Sequence, residues 1–472
     1  MESDIKLAQH NPFVDETHNP SLISWLKSAN GHPSFPIQNL PFGVFIDAEQ
    51  IPRCGVAIGD FVINLHTLGL QRIFSGKAQI GLEALRETCL QRFMSLGREF
   101  SVAFRQALSN ALTDGSQHEM AVRKALISSA DVSFCLPCQI GDYTDFYTSI
   151  HHATSVGKLF RPNNPLLPNY KWLPIGYHGR ASSIHPSGIP VFRPIGQTLN
   201  ADTQQPELTA TAKLDYEVEL GIFIGQSTES FEPVCIQQAD AHFFGVSMLN
   251  DWSARDIQAW EYQPLGPFLS KNFISSISPW IITAEALAPF RVPPTNYQDR
   301  PEVVNLQSNE NSLLGGFDIQ MTCHIRTEQM RHQGIPAFKL SQTTFKHAFW
   351  TIAQMITHHT QTGCNLNSGD LLGSGTQSGP TESEAGSLLE ITQGGQHPIH
   401  LPSGEKRFFL EDGDEIEISG YCESENGLRI GIGSVSAVIY PPKNTKPTQT
   451  IKPAASSDSA LCHSDPVAHL GE

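Results

Sequence analysis

Along most of the chain, apolar and polar residues alternate over short runs bounded by turn residues, a pattern that predicts strands joined by loops. Gly43-Val-Phe-Ile46 and the run from Gly55 to Ile63 read as strands, and two helical segments follow, around residues 82–96 and 99–112. Residues 22 to about 133 therefore predict a small barrel-like unit carrying helices. A shift in composition through Cys135-Leu-Pro-Cys-Gln-Ile140 marks its end. From 142 to 440 strands and loops dominate. One amphipathic helix is expected over 345–360, with Phe349, Ile352, Ala353 and Ile356 along one side and Gly363 ending it. The first 20 or so residues are loose and polar, and the chain from Pro441 onward is rich in Pro, Ser, Thr and Lys without an aromatic residue. That composition predicts a disordered tail. There is no internal repeat, and the expected division is 1–138, 139–440 and a tail over 441–472.

One stretch concentrates polar side chains beside apolar ones. Phe243-Phe-Gly-Val-Ser-Met-Leu249 reads as a buried strand. Ser253 with Asp256 three residues later has the spacing of a capping box, so a helix is expected to start there and to stop at Pro264. Arg255, Gln258 and Tyr262 then share one face of that helix, and Asp251 lies where strand hands over to helix. Such an arrangement suits the wall of a polar small-molecule site, and equally an amphipathic surface helix.

Composition narrows the class. A chain of 472 residues has room for two or three domains and a large core. With 32 prolines and 37 glycines, the fold is expected to be rich in turns. The net charge of −16 argues against nucleic acid or anionic membrane as the main partner, while leaving room for a local cationic pocket. No apolar run approaches the roughly 20 residues of a membrane span, and Met1-Glu-Ser-Asp4 lacks the features of a signal peptide. Nine cysteines, odd in number and scattered, predict reduced thiols and a cytoplasmic location. Cys135 and Cys138 form a lone CxxC and read as linker thiols.

Residues 213–224 alternate like a strand, which places Asp215, Glu217 and Glu219 on one face. Neighbouring carboxylates there would stand about 6 to 7 Å apart and repel by roughly 2.5 kcal/mol per pair at an effective dielectric of about 20. Water or a cation must relieve that repulsion. Glu415 and Glu417 have the same spacing and read as an outward-facing strand. Asp145 and Asp251 are further acids available to a cation, and an all-oxygen set of this kind suits calcium or magnesium. Zinc is disfavoured because no His/Cys ligand spacing occurs. His151 and His152 follow; if their segment is helical, His152 lies beside Val156 and Leu159, and His151 with Tyr147 and Thr154. A histidine on the apolar side is either a satisfied core residue or, paired with a carboxylate, a general base. Gly373-Ser-Gly-Thr-Gln-Ser-Gly379 could hold a carboxylate or form a surface turn. Neither it nor Gly157-Lys158 fits a phosphate loop, and Gly431 to Ser436 reads as the final strand.

Seven motifs in order, Asp145-Phe-Tyr147, His152-Ala-Thr154, Gly176-Tyr-His-Gly-Arg-Ala-Ser182, Asp215-Tyr-Glu-Val-Glu219, Asn250-Asp-Trp-Ser-Ala-Arg-Asp256, Pro264-Leu-Gly-Pro-Phe-Leu269 and the loop from Gly373 to Gly379, resemble the fumarylacetoacetase family over about residues 22 to 440. The resemblance implies a mostly β fold with some α, a small SH3-like barrel followed by a larger mixed β-roll or sandwich catalytic domain, assembled as a homodimer. It implies metal-dependent hydrolysis of 4-fumarylacetoacetate, a small dianionic diketo acid, to fumarate and acetoacetate, the last step of tyrosine and phenylalanine breakdown. Carried over by position, Asp145, Glu217, Glu219 and Asp251 resemble ligands of calcium or magnesium. Lys271 and Ser275 match positions associated with magnesium, Ser275 standing where the family usually has threonine. His152, oriented by Glu390, resembles the base that activates water; Arg255, Gln258 and Lys271 resemble the groups around the oxyanion. Tyr147, Arg161, Tyr177, Gln258, Tyr262 and Thr376 match substrate contacts. An isomerase, hydratase or decarboxylase of keto acids on the same metal site is the alternative, and a silent calcium-binding β protein a third.

Overall fold

The computed structural model describes residues 11–295 and 301–443. The chain is mostly strand with some helix, a β-rich N-terminal part followed by a larger C-terminal one. Phe42–Ile46, Pro52–Ile58 and Phe61–Asn64 form an antiparallel meander, flanked by Leu126–Ser128 at one edge and Ser133–Cys135 at the other. The run expected as one strand from Gly55 to Ile63 is two, because Gly59 turns the chain at φ +54. The sheet must curl. Its two edges lie four strand spacings apart, about 19 Å if flat, yet only a short 3-10 turn at Ser129–Asp131 and one more residue connect them.

Arg98–Leu112 packs Phe104, Leu108 and Leu112 into this part of the core. The other N-terminal helix is not continuous over 82–96; Gly76–Ala84 and Gln91–Ser95 are separate. The chain between them is drawn onto the linker and sheet, where Leu90 N–H donates to Pro137 O at 2.9 Å and Cys54 Sγ contacts Glu87 O at 3.5 Å. Cys135 and Cys138 are free thiols, and Cys138 is buried beside Gly369.

In the C-terminal part, one sheet runs in the order Gly176–His178, Tyr143–Phe146, Leu371–Gly373, Val218–Ile224, Phe243–Asp251, Ser275–Ile277, Ile184–Pro186. A second runs Phe338–Thr344, Gln320–Arg326, Glu415–Glu423, Arg429–Tyr440, Val191–Phe192. Val246 and Met248 from the first meet Ile418, Ile432 and Val435 from the second in one buried cluster. Glu417 faces solvent, as its alternation predicts. The stretch 213–224 departs from that pattern: Leu214–Asp215 pairs separately with Ser253–Ala254, and Tyr216 and Val218 are as buried as the acids between them. A central strand covered on both faces has no solvated side to show.

The helix expected over 345–360 begins at Ile352, where Thr351 and Gln354 cap each other's backbone, and only a 3-10 turn precedes it. Ser253 and Asp256 do not cap a helix. Arg255–Glu261 starts after Ala254 without a side-chain cap, and Asp256 instead accepts hydrogen bonds from Thr211 Oγ1 and Ala212 N–H. No helix among the described residues is long and apolar enough to cross a membrane. The expected tail lies, beyond residue 443, outside the described residues.

Candidate active site

The acids converge because four strands end together. Asp145 is paired with Gly373 on one side and Tyr177 on the other; Glu219 is paired with Leu249; Asp251 closes its strand opposite Ser275. Asp145, Glu219 and Asp251 each bring a carboxylate oxygen within 4.8 Å of the others, and all three are buried. Room for them depends on Gly373, where a Cβ would stand 2.4 Å from Asp145 Oδ1 and 2.9 Å from Tyr143 OH. Neither oxygen of Glu219 has a hydrogen-bond partner among the described residues. Burial, reinforced by the neighbouring acids, pushes the Asp145 and Glu219 carboxyls well above their ordinary range. Buried, mutually repelling and orphaned oxygens fit a hard divalent cation, which would satisfy them together.

Glu217 is not part of this triad. Its Oε1 accepts from Arg255 Nη1 at 2.8 Å and its Oε2 from the Lys271 ammonium. Burial would raise its carboxyl, but Lys271 and Arg255 outweigh that and hold it far below the usual range. Lys271 also donates to Asp251 Oδ2 at 2.6 Å, and Ser275 Oγ to Asp251 Oδ1 at 2.8 Å. Lys271, a donor only, balances the charge of the acids. Arg255 is gripped at its other side by Asp215, Nε to Oδ2 at 2.9 Å, and Asp215 is held in turn by the amides of Leu388 and Leu389. Arg255 Nη1 donates to Gln258 Oε1 at 3.2 Å, while Nη2 is buried without a partner among the described residues. One guanidinium N–H edge is thus held rigid and unsatisfied.

His152 lies in the helix Ile150–Phe160, capped by Ser149, whose hydroxyl accepts from His152 N–H. Its Nδ1 is 2.7 Å from Glu390 Oε2, and both side chains are buried. Ser378 and Ser387 hydroxyls donate to the same oxygen at 3.0 and 2.9 Å. Burial opposes ionisation of Glu390, but His152 and these hydroxyls keep its carboxyl below the ordinary value. The imidazole is thereby fixed as the Nδ1–H tautomer, which leaves Nε2 as the acceptor. Tyr147 packs edge-on against His152 with ring centroids 5.4 Å apart, not against His151, which meets His347 instead. His152 also lies within the electrostatic reach of Glu217.

Tyr177 donates its phenol to Asp251 Oδ2 at 3.3 Å. Thr376 is buried in the loop after Gly373, which is internal and not a surface turn; its amides at Ser374, Gly375 and Gln377 are spent on Leu220 O, Asp145 Oδ1 and Val218 O. Tyr262 is half-buried at the end of its helix, and Arg161 is exposed at the end of the His152 helix, its charge still felt at Tyr147. The structure adds roles that sequence reasoning did not assign: Asp215 as the brace of Arg255, Ser378 and Ser387 as the braces of Glu390, and Gly373 as the space beside Asp145. Ser387 and Glu390 do stand at capping-box spacing, which hides a different bond.

A family model described as fumarylacetoacetate (FAA) hydrolase C-terminal matches residues 143–439, and one described as fumarylacetoacetase N-terminal matches 38–137. The chain belongs to the fumarylacetoacetase family. It is 45% identical to a fumarylacetoacetase of Dictyostelium discoideum over 418 residues, covering 86% of this chain and 95% of that one. It is 43% identical to the fumarylacetoacetase of Homo sapiens and 40% to that of Arabidopsis thaliana, each covering 86% of this chain and 96% of the relative. Among solved structures, a fumarylacetoacetate hydrolase from psychrophilic Exiguobacterium antarcticum aligns at a TM-score of 0.47 and 16% identity, over 85% of this chain and 99% of that chain. That likeness is too distant to add to the argument.

Proposed function

We propose that this member of the fumarylacetoacetase family is a metal-dependent hydrolase that cleaves 4-fumarylacetoacetate to fumarate and acetoacetate, the closing step of tyrosine and phenylalanine catabolism. The observation that carries the reading is that Glu217 links three kinds of buried group: the Asp145–Glu219–Asp251 triad through Lys271, Arg255 with its unsatisfied Nη2 edge directly, and the His152–Glu390 pair through the charge of His152. Extensive identity to fumarylacetoacetases of animals, a plant and an amoeba supports the substrate.

Hydrolysis forms a bond from water oxygen to the carbonyl carbon and then breaks the carbon–carbon bond, leaving the electron pair on the departing acetoacetate. His152 Nε2 takes the proton of water while Glu390 balances the imidazolium, a contribution of roughly 10²–10⁴-fold. Arg255 Nη2, the Gln258 amide and a remaining N–H of Lys271 face the negative oxygen that develops, each such donor being worth roughly 3 kcal/mol. The imidazolium then returns its proton to the leaving carbon. Asp145, Glu219 and Asp251, with Glu217 at hand and Ser275 and Lys271 supporting Asp251, would hold a calcium or magnesium ion, which would supply Lewis-acid polarisation there. Tyr147, Arg161, Tyr177, Gln258, Tyr262 and Thr376 hold the dianionic substrate, Arg161 and Arg255 matching its negative ends.

The N-terminal unit ends near residue 138 and the catalytic unit runs from 139 to 440. The enzyme acts in the cytoplasm as a homodimer; the exposed Trp260, Leu265 and Phe268, on and after the helix that carries Arg255, suit a second copy. The test is spectrophotometric: fumarylacetoacetate absorbance should fall with the protein, stop with chelator and return with Ca²⁺ or Mg²⁺. Turnover of oxaloacetate with none of fumarylacetoacetate would transfer the site to the decarboxylase reading.

A further inference from the structure

The helix Ile150–Phe160 has a second occupied face. His152 points to Glu390, with Val156 and Leu159 packed on the apolar core beside it, whereas His151, Thr154, Ser155 and Lys158 follow i, i+3, i+4, i+7 spacing on the face about 100° round the helix. That face lines a cavity of about 330 Å³, open on one side, whose other walls are Lys171, Phe349, Gly379 and Pro380. Neither His152 nor any residue of the carboxylate triad lines it.

We propose that this cavity is a separate binding site for a small dianion presenting carboxylate or phosphate oxygens. The charge balance is the main support. The chain as a whole carries −16, yet Lys158 and Lys171 both line this cavity without a carboxylate or hydrogen-bond partner among the described residues. His151 adds an imidazole, its ring centroid 5.8 Å from that of His347. Two acids act on His151, and both are already engaged: Glu384 by His347 Nε2 at 3.3 Å and Thr381 Oγ1 at 2.6 Å, and Glu390 by His152 Nδ1 at 2.7 Å and the Ser378 and Ser387 hydroxyls. Lys158, Lys171, His151 and Ser155 therefore line the cavity against two committed carboxylates, with the Thr154 hydroxyl spent on Ile150 O at 2.7 Å and with Ile150 and Phe349 as apolar lining. The volume, at the small end of ligand pockets, suits a four- or five-carbon dicarboxylate or a small phosphate monoester and excludes a dinucleotide.

Isothermal titration of inorganic phosphate and of succinate into the full-length, metal-stripped chain tests this without any need for turnover, so its failure and the failure of the hydrolase reading are separable. One equivalent of at least one probe should bind, and which probe binds assigns the head group. Lys158→Gln/Lys171→Gln should weaken that binding at least tenfold, and Lys158→Arg/Lys171→Arg should restore it, with unchanged circular dichroism confirming the fold. Arg161→Gln and Arg255→Gln, on the catalytic side, should leave it within twofold. Absence of saturable binding by either probe, a loss below threefold in the double Gln variant, or loss in the arginine variants would overturn the proposal.

Discussion

Replacing Glu219 by Gln separates a metal site from an ordinary acidic cluster. The three carboxylates lie within 4.8 Å of each other, and one charged pair at that distance repels by about 3.5 kcal/mol at an effective dielectric of about 20. Burial and the neighbouring acids already raise the Glu219 and Asp145 carboxyls, so the metal-free chain relieves part of this repulsion by binding protons. Glu219→Gln should therefore leave the metal-free Tm unchanged or slightly higher, although a buried residue has been altered. The metal-bound state should suffer. Losing even a supporting partner of a ligand typically costs 10–100-fold in affinity, and a 100-fold loss removes about 2.7 kcal/mol of metal-linked stability at saturating concentrations. Scanning calorimetry with chelator and with 1 to 10 mM Ca²⁺ or Mg²⁺ (roughly the range over which such a loss is visible) reads both effects, and activity should recover partly at high metal. Glu417→Gln, with its side chain exposed, is the control. An unchanged metal-induced shift in Glu219→Gln, or an equal loss in Glu417→Gln, refutes the reasoning.

Other outcomes follow from the same geometry. His152→Ala should lower kcat by at least roughly 10²-fold with metal binding retained, whereas His151→Ala should stay within a few-fold; the reverse result in a steady-state assay would reassign the base. Gly373→Ala places a methyl 2.4 Å from Asp145 Oδ1, so Asp145 must retreat by about 1 Å, and such a misplacement costs roughly 10²-fold in turnover; calorimetric metal titration and kcat/KM should fall together. Asp240, bonded to Arg291 at 2.5 Å and Arg98 at 3.2 Å, has a lowered carboxyl because these two arginines outweigh its burial. Its stabilisation is present above the ordinary carboxylate pKa and is lost as pH falls through the lower folded value. Asp240→Asn should therefore cost about 1.5–3 kcal/mol at pH 7 in urea unfolding, with wild type and variant converging below about pH 4.

The strand from Phe243 to Asp251 was legible because a continuous apolar run has one economical fate, burial on both faces. Arg98–Leu112 was legible within one residue, and the outward Glu417 likewise, since their spacing is set by the element they occupy. Thr351 and Gln354, with the same spacing as Ser253 and Asp256, formed the capping box that the latter pair did not. Spacing is local, and Asp256 had a competing offer from Thr211 and Ala212, some 45 residues earlier. The motifs located most of the acids and the histidine pair but not their division of labour.

Sequence alone determined which side chains were available, on which kinds of element, and which family they resemble. Tertiary structure decided the rest. It brought His152 to Glu390 across 238 positions, gave Glu217 to Arg255 and Lys271, and left Glu219 bare beside Asp145 and Asp251. The physical reason is that a carboxylate has no fixed chemistry of its own. Its charge, partners and proton affinity come from the burial and counter-charges that strand pairing over hundreds of residues assembles around it.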